Sequence, residues 1–194
     1  EAAELGAIRL GHCTALGLDP ATAAARQAEA HEREPASERL AQIRYDLNHR
    51  EALEKFGVPI DVKALEKERQ HFIGSPGDEF VQRAYDSKRL ESIRHRQDYV
   101  LSRLAELDVV IETCPTSNLR IGAVPDAQAH PVHRFLASEV KLAIGADDPG
   151  IFDCTLADEV DWVHRHSDMD ADALHTRLGD PHHYRLGRRR GGRN

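Results

Sequence analysis

Two adjacent carboxylates, Asp147 and Asp148, close the apolar run Val140-Lys141-Leu142-Ala143-Ile144-Gly145-Ala146 and are followed at once by Pro149-Gly150. A run of that length reads as a strand, and its end delivers both acids to a rim. In a parallel α/β sheet or barrel, the carboxyl-terminal rim is where chemistry sits. Side chains alternate along extended backbone, so the two acids should face different ways, one toward a metal and the other toward a ligand. Pro149 keeps Asp148 out of the helical region and Gly150 permits a sharp exit. A helix cap followed by a turn accounts for the same four residues equally well. His12 holds an equivalent place at the end of Ala7-Ile8-Arg9-Leu10, and Cys114-Pro115-Thr116-Ser117-Asn118 follows the strand-like Val109-Val110-Ile111-Glu112-Thr113. Metal-assisted hydrolysis needs three kinds of group: a carboxylate for a divalent cation, an imidazole that takes or orients a proton of the metal's water, and amide or carboxylate groups for the substrate.

The elements that must position these residues are legible from spacing. Between 21 and about 107, Ala, Glu and Arg dominate and the apolar positions fall at helical intervals: Leu40, Ile43 and Leu47, then Leu53 and Phe56, broken by Gly57-Val58-Pro59. Asp61 should cap a helix that runs to about Phe72, with a turn at Gly74-Ser75-Pro76-Gly77. A longer helical pattern over 78–107 carries Phe80, Tyr85, Leu90, Ile93, Val100 and Leu104 on its apolar side, with a possible interruption at Tyr85-Asp86-Ser87. His130-Pro131 opens a further helix, Leu156 begins another that ends near His166, and Asp170 should cap a last one through Leu178. Residues 14–20 read as loop. His164 and His166 are two apart on a helix and so face apart, which makes them surface residues and not a metal pair.

The 194 residues carry a net charge of −7, which argues against a general nucleic-acid binder. The basic Arg188-Arg189-Arg190-Gly191-Gly192-Arg193 is the local exception and reads as a flexible tail. Cys13, Cys114 and Cys154 lie far apart with no C-x-x-C spacing, so no disulfide framework or thiolate zinc site is expected and a reducing cytoplasm fits best. No apolar stretch approaches ~18 residues, so no membrane association is expected.

Four segments, in order, resemble the motifs of the C-terminal half of the adenosine deaminase family: Arg9-Leu10-Gly11-His12, Glu112-Thr113-Cys114-Pro115-Thr116-Ser117-Asn118-Leu119, His130-Pro131 and Asp147-Asp148-Pro149-Gly150-Ile151-Phe152. The resemblance covers residues 1–18 and about 99–163. It implies an α/β fold, the last strands of a (β/α)8 TIM-type barrel: 1–20 as strand six and its rim loop, 21–107 as a helical insertion with a crossover helix, 108–178 as strands seven and eight with their helices, and 179–194 as a tail. It further implies Zn2+ as the cofactor, with Asp147 as a metal ligand and Asp148 hydrogen-bonded to a purine. His12 would sit beside the zinc-bound hydroxide as base or electrostatic guide for attack on C6 of the base, with Ser117 and Asn118 supporting the rim. Cys13 stands where the family usually has Gly.

The departures are as informative. The family's His-x-His pair, its further zinc-binding His and its His-Ala-Gly-Glu segment are absent, and the only His-x-His here is His164-Arg165-His166. Zinc needs three protein ligands or more, so the expectation is a piece of a larger deaminase whose other barrel half lies in the same polypeptide or on another chain. The H-x-E and P-C-x-x-C of cytidine-type deaminases are missing too. The inserted segment is similar in kind to the added helices of large bacterial defence deaminases, including CRISPR-associated ones, which act on adenosine or ATP and assemble as oligomers. A homo-oligomer that takes a purine nucleoside or nucleotide is therefore expected. A catalytically inactive regulatory or assembly half-barrel and a different amidohydrolase are the alternatives.

Overall fold

The computed structural model describes residues 2–26, 31–74 and 79–179. Its strands are β1 (Arg9–Gly11), β2 (His31–Pro35), β3 (Phe80–Ala84), β4 (Val110–Thr113) and β5 (Lys141–Ile144). The chain divides into two compact units, one made of Glu1–Leu18 and Leu101–Asn194, the other of Asp19–Val100.

The first unit is built on a parallel sheet in the order β1-β4-β5. Arg9 stands opposite Val110 and Gly11 opposite Glu112, while Val110 pairs with Lys141 and Thr113 with Ile144. The ladder continues past the strand ends: the His12 N–H donates to the Glu112 carbonyl at 2.6 Å and the Gly145 N–H to the Thr113 carbonyl at 2.9 Å. All three carboxyl ends therefore open on one edge. Parallel strands need crossover helices that cover the sheet, and the apolar residues follow that rule. Ile111, Leu142, Phe135, Val132, Val140 and Val163 are fully buried, each large side chain contributing roughly 1.5–3 kcal/mol by leaving water. The helix Leu156–His166 starts in a Thr155/Asp158 capping box, and Asp170 caps the helix Ala171–Leu178 by accepting from the Ala173 N–H. The Arg177 guanidinium then donates to the carbonyls of Phe135, Leu136, Ser138 and Val140. These carbonyls lie in the last turn of the helix Val132–Ala137 and in the segment just after it, where helical donors run out.

A mixed α/β fold with a parallel sheet is thus present. The segment 14–20, read as loop, forms a single helical turn over Thr14–Gly17 and the start of a helix at Pro20. Residues 2–6 form a turn closed by Gly6 at φ 100°.

The second unit carries helices at Ala36–Asn48, Arg50–Lys55 and Val62–Phe72, the last capped by Asp61. Its small core is Leu53, Val58 and Tyr99, with Tyr45 packed against them. Two bidentate ion pairs brace it, Arg39 on Glu68 and Arg96 on Asp46. The stretch read as wholly helical also contains an antiparallel pair, β2 with β3, in which Glu32 opposes Arg83 and Glu34 opposes Val81. Residues 80–84 therefore form a strand, and the long helix begins only at Ser87. Helix-favouring composition lost here to cross-strand pairing: Arg83 reaches Glu34 at 2.6 Å and Glu32 at 3.5 Å. The predicted turn at 74–77 and the tail with His182, His183 and the arginine run fall outside the described residues, apart from Gly74.

Candidate active site

His12 and Asp147 leave their strands in the same unusual way. His12 has φ 57° and Asp147 φ 56°, the left-handed region that costs a non-glycine residue about 1–2 kcal/mol. Cys13 follows His12 with φ 50°, so this thiol residue occupies a backbone conformation that glycine adopts without strain. Strained backbone of this kind persists where surrounding structure overdetermines it, and such positions cluster at functional sites.

The consequence is convergence. His12 Nε2 lies 3.9 Å from Asp147 Oδ2, with both side chains about two-fifths exposed. Ser117, itself buried, donates its hydroxyl hydrogen to the same Asp147 oxygen at 2.6 Å. Asn118 stands on the other side of the imidazole, its Oδ1 2.8 Å from His12 Nδ1. Both residues come from the short helix Pro115–Arg120, which starts one residue after β4. That helix is itself anchored, since the buried Glu159 accepts the Thr116 N–H at 3.0 Å.

Asp148 is placed differently. Its Oδ1 accepts from the N–H groups of Gly150 and Ile151 at 3.0 and 3.1 Å, so it caps the turn Pro149–Phe152. The two adjacent acids do face different groups, and Asp148 has the cap geometry that the Asp-Asp-Pro-Gly sequence allows. It remains exposed at the rim.

Spacing alone passed over several residues. Glu112 forms an ion pair with Arg9 beside the site. Gly145 lies so close that a Cβ there would come 2.9 Å from Glu112 Oε1 and 3.2 Å from Cys114 Sγ. His130, read as a helix opener and as part of a family motif but given no role of its own, is 2% exposed and its Nε2 is 3.2 Å from Asn118 Nδ2. Its sequence signal was the His-Pro pair itself, set just before the helix Val132–Ala137. Glu159 had the signal of a carboxylate four residues before Val163, on the same face of its helix.

Two titrations bear on the chemistry. Burial, reinforced by the charges of Asp147 and Glu159, pushes the Cys114 thiol up to about 11, so it is protonated at neutral pH and is no nucleophile. Burial holds the His130 imidazole down to about 4, so that ring is neutral. His164 and His166 are exposed; His166 stacks on Trp162 and bonds to its carbonyl.

As a donor set, the centre fits one vertex of a zinc site and not a whole one. Among the described residues no three His, Cys, Asp or Glu side chains converge to hold an ion. The described residues by themselves therefore do not fit a bound zinc. No helix among them is long and apolar enough to cross a membrane.

Parts of this chain are similar to known proteins. An adenine deaminase of Rhizobium leguminosarum bv. trifolii is 37% identical over 78 residues, 39% of this chain and 24% of the relative. An aminodeoxyfutalosine deaminase of Acidothermus cellulolyticus is 43% identical over 56 residues, 29% of this chain and 16% of the relative. One from Streptomyces avermitilis is 35% identical over 103 residues, half of this chain and 29% of the relative. The chain thus spans less than a third of the length of these relatives. The sequence model of the family described as adenosine deaminase matches residues 75–178, more than half of the 194. With β4, β5, the Ser117-Asn118 helix and the Asp147 rim all inside that match, the chain belongs to the adenosine deaminase family.

Proposed function

We propose that this chain supplies part of the reaction centre of an enzyme that hydrolytically removes the 6-amino group of an adenine-containing compound. Water adds at C6 of the ring, the C6–N bond breaks, and ammonia leaves behind a 6-oxo purine. The observation that supports this most directly is the 3.9 Å approach of His12 Nε2 to Asp147 Oδ2 on the carboxyl edge of a parallel sheet. His12 holds or guides the proton of the attacking water, and Asp148 offers its carboxylate to the purine ring. Ser117 keeps the Asp147 carboxylate in one orientation, and Asn118 does the same for the imidazole.

Asp147 is assigned as one ligand of a zinc ion. The other ligands would come from the remainder of a (β/α)8 barrel, in the same polypeptide or on another chain. The short coverage of the relatives supports this reading, as does the lack of a third donor among the described residues. The three free thiols fit a reducing cytoplasm. Residues 21–90 would act as the assembly or gating element of a homo-oligomer, so their deletion should alter oligomeric mass or nucleotide preference.

The relatives' names favour adenine or an adenine-bearing nucleoside as substrate, and the likeness to large defence deaminases adds ATP. The test is ammonia release by the full-length protein from adenine, adenosine, aminodeoxyfutalosine and ATP, each compared with Asp147→Asn. Release from one of them that the variant loses supports the reading. No release from any, with the protein folded, leaves the inactive half-barrel as the better account.

A further inference from the structure

His12, Asn118, His130 and the backbone of Val132 form one continuous hydrogen-bond line, and its donors and acceptors can be matched in only one way. His12 Nδ1 is 2.8 Å from Asn118 Oδ1, Asn118 Nδ2 is 3.2 Å from His130 Nε2, and the Val132 N–H donates to His130 Nδ1 at 3.1 Å. The backbone N–H is the fixed point, because it can only donate. His130 Nδ1 must therefore carry a lone pair, which leaves the ring proton on Nε2. Burial of His130, which keeps the ring neutral, agrees with this and excludes a second ring proton.

A protonated Nε2 cannot face an amide nitrogen, since both are donors. The two ends of a carboxamide are nearly isosteric, and which end is oxygen follows from the partners it meets. Asn118 is 1% exposed, so water offers no alternative partner. Turned by a half rotation, its Oδ1 accepts from His130 Nε2–H and its Nδ2 donates to His12 Nδ1. A cationic His12 would need an acceptor from Asn118 and would bring back the clash of donors at His130.

Resting on the functional reading above for its consequence, though not for its geometry, we infer that His130 and Asn118 are positioning residues that lock His12 in the tautomer with its proton on Nε2. His12 then presents an N–H, not a lone pair, on the side where Asp147 Oδ2 lies 3.9 Å away. Of the two roles open to this imidazole, base or guide, the wiring selects the guide: a hydrogen-bond donor held in one orientation. The helix Val132–Ala137 sets the tautomer from behind, because its first N–H group fixes the His130 lone pair.

The test is nitrogen-15 NMR of the imidazole rings in the full-length, metal-free protein at about pH 8, above the ordinary imidazole range. Long-range couplings from the ring carbons' hydrogens tell a protonated nitrogen from a bare one, and loss of signals in His12→Gln and His130→Gln assigns them. Both rings are expected to carry the proton on Nε2. Asn118→Asp places an acceptor at each end, so His12 should move its proton to Nδ1 while His130 keeps its own on Nε2. His130→Leu, which releases the carboxamide, should give a mixture at His12 and serves if the first variant does not fold. A proton on Nδ1 of His12 in the unaltered protein overturns the inference, as does a His12 tautomer indifferent to Asn118→Asp. The spectra need neither substrate nor metal, so a protein that shows these tautomers and releases no ammonia would sink the function and leave the wiring intact.

Discussion

Ser117 donates its hydroxyl hydrogen to Asp147 Oδ2 across 2.6 Å, from a position only 1% exposed to a carboxylate that is 39% exposed. A buried, fixed donor thus orients an open acid, which is how an outer residue holds a reactive group in place. Ser117→Ala removes the donor with little change of volume. Asp147 can turn to water instead, so global stability should fall by only about 1 kcal/mol. Turnover should fall roughly tenfold, equivalent to about 1.4 kcal/mol of transition-state stabilisation. Urea unfolding and steady-state kinetics on the same preparation separate the two effects.

Asp148 allows a cleaner separation. It caps the Pro149–Phe152 turn through Gly150 and Ile151, and Asn caps about as well as Asp. Asp148→Asn should leave the unfolding midpoint nearly unchanged while raising KM, by roughly tenfold or more if the carboxylate makes a charge-assisted bond to the purine. Asp148→Ala should raise KM and also cost about 1 kcal/mol of stability. An unchanged KM in both variants confines Asp148 to capping.

Gly17 fixes the distance between the β1 exit and the His130 segment. A Cβ there would meet Pro131 Cβ at 2.5 Å and its backbone Cα at 2.8 Å, atoms that cannot swing away. Gly17→Ala should therefore cost about 1–3 kcal/mol, the usual range for overpacking. A thermal or chemical denaturation curve checks it, and a variant as stable as the parent would show that the Thr14–Gly17 turn is free to shift.

His130 gives a pH dependence with a definite sign. Burial lowers its pKa from 6.5 to about 4, so above pH 6.5 the folded and unfolded chains bind the same number of protons at this site. As pH falls below that value the unfolded state takes up a proton that the folded state refuses. Stability is lost between about 6.5 and about 4, by on the order of 3 kcal/mol. Unfolding curves at several pH values should show the loss, and His130→Gln should flatten it over that window. An equal slope in the variant would assign the loss to other groups.

The sequence made the strands of the parallel sheet and the helices capped by Asp61, Thr155 and Asp170 readable, because each carries a local signal: an apolar run of strand length or a cap before a periodic stretch. β2 and β3 were not readable, since Glu32-Arg33-Glu34 and Phe80-Val81-Gln82-Arg83-Ala84 become strands only through pairing with each other across 45 residues or more. The same divide runs through the site. His12, Asp147, Ser117 and Asn118 announce themselves by polar chemistry at strand ends. Glu159 and His130 act from behind, through a backbone N–H and a carboxamide, and one-dimensional spacing carries no record of those contacts.

The most direct measurement is the ammonia released per enzyme from the best adenine-containing substrate by the full-length protein, by Asp147→Asn and by His12→Ala. If the two residues share one centre, each variant should lose roughly a hundredfold or more of the turnover, about the contribution of one preorganised polar group at the reacting centre. Both should remain folded, because both side chains are about two-fifths exposed and neither belongs to the core. Near-parental ammonia release by either variant would contradict the claim that His12 and Asp147 work together.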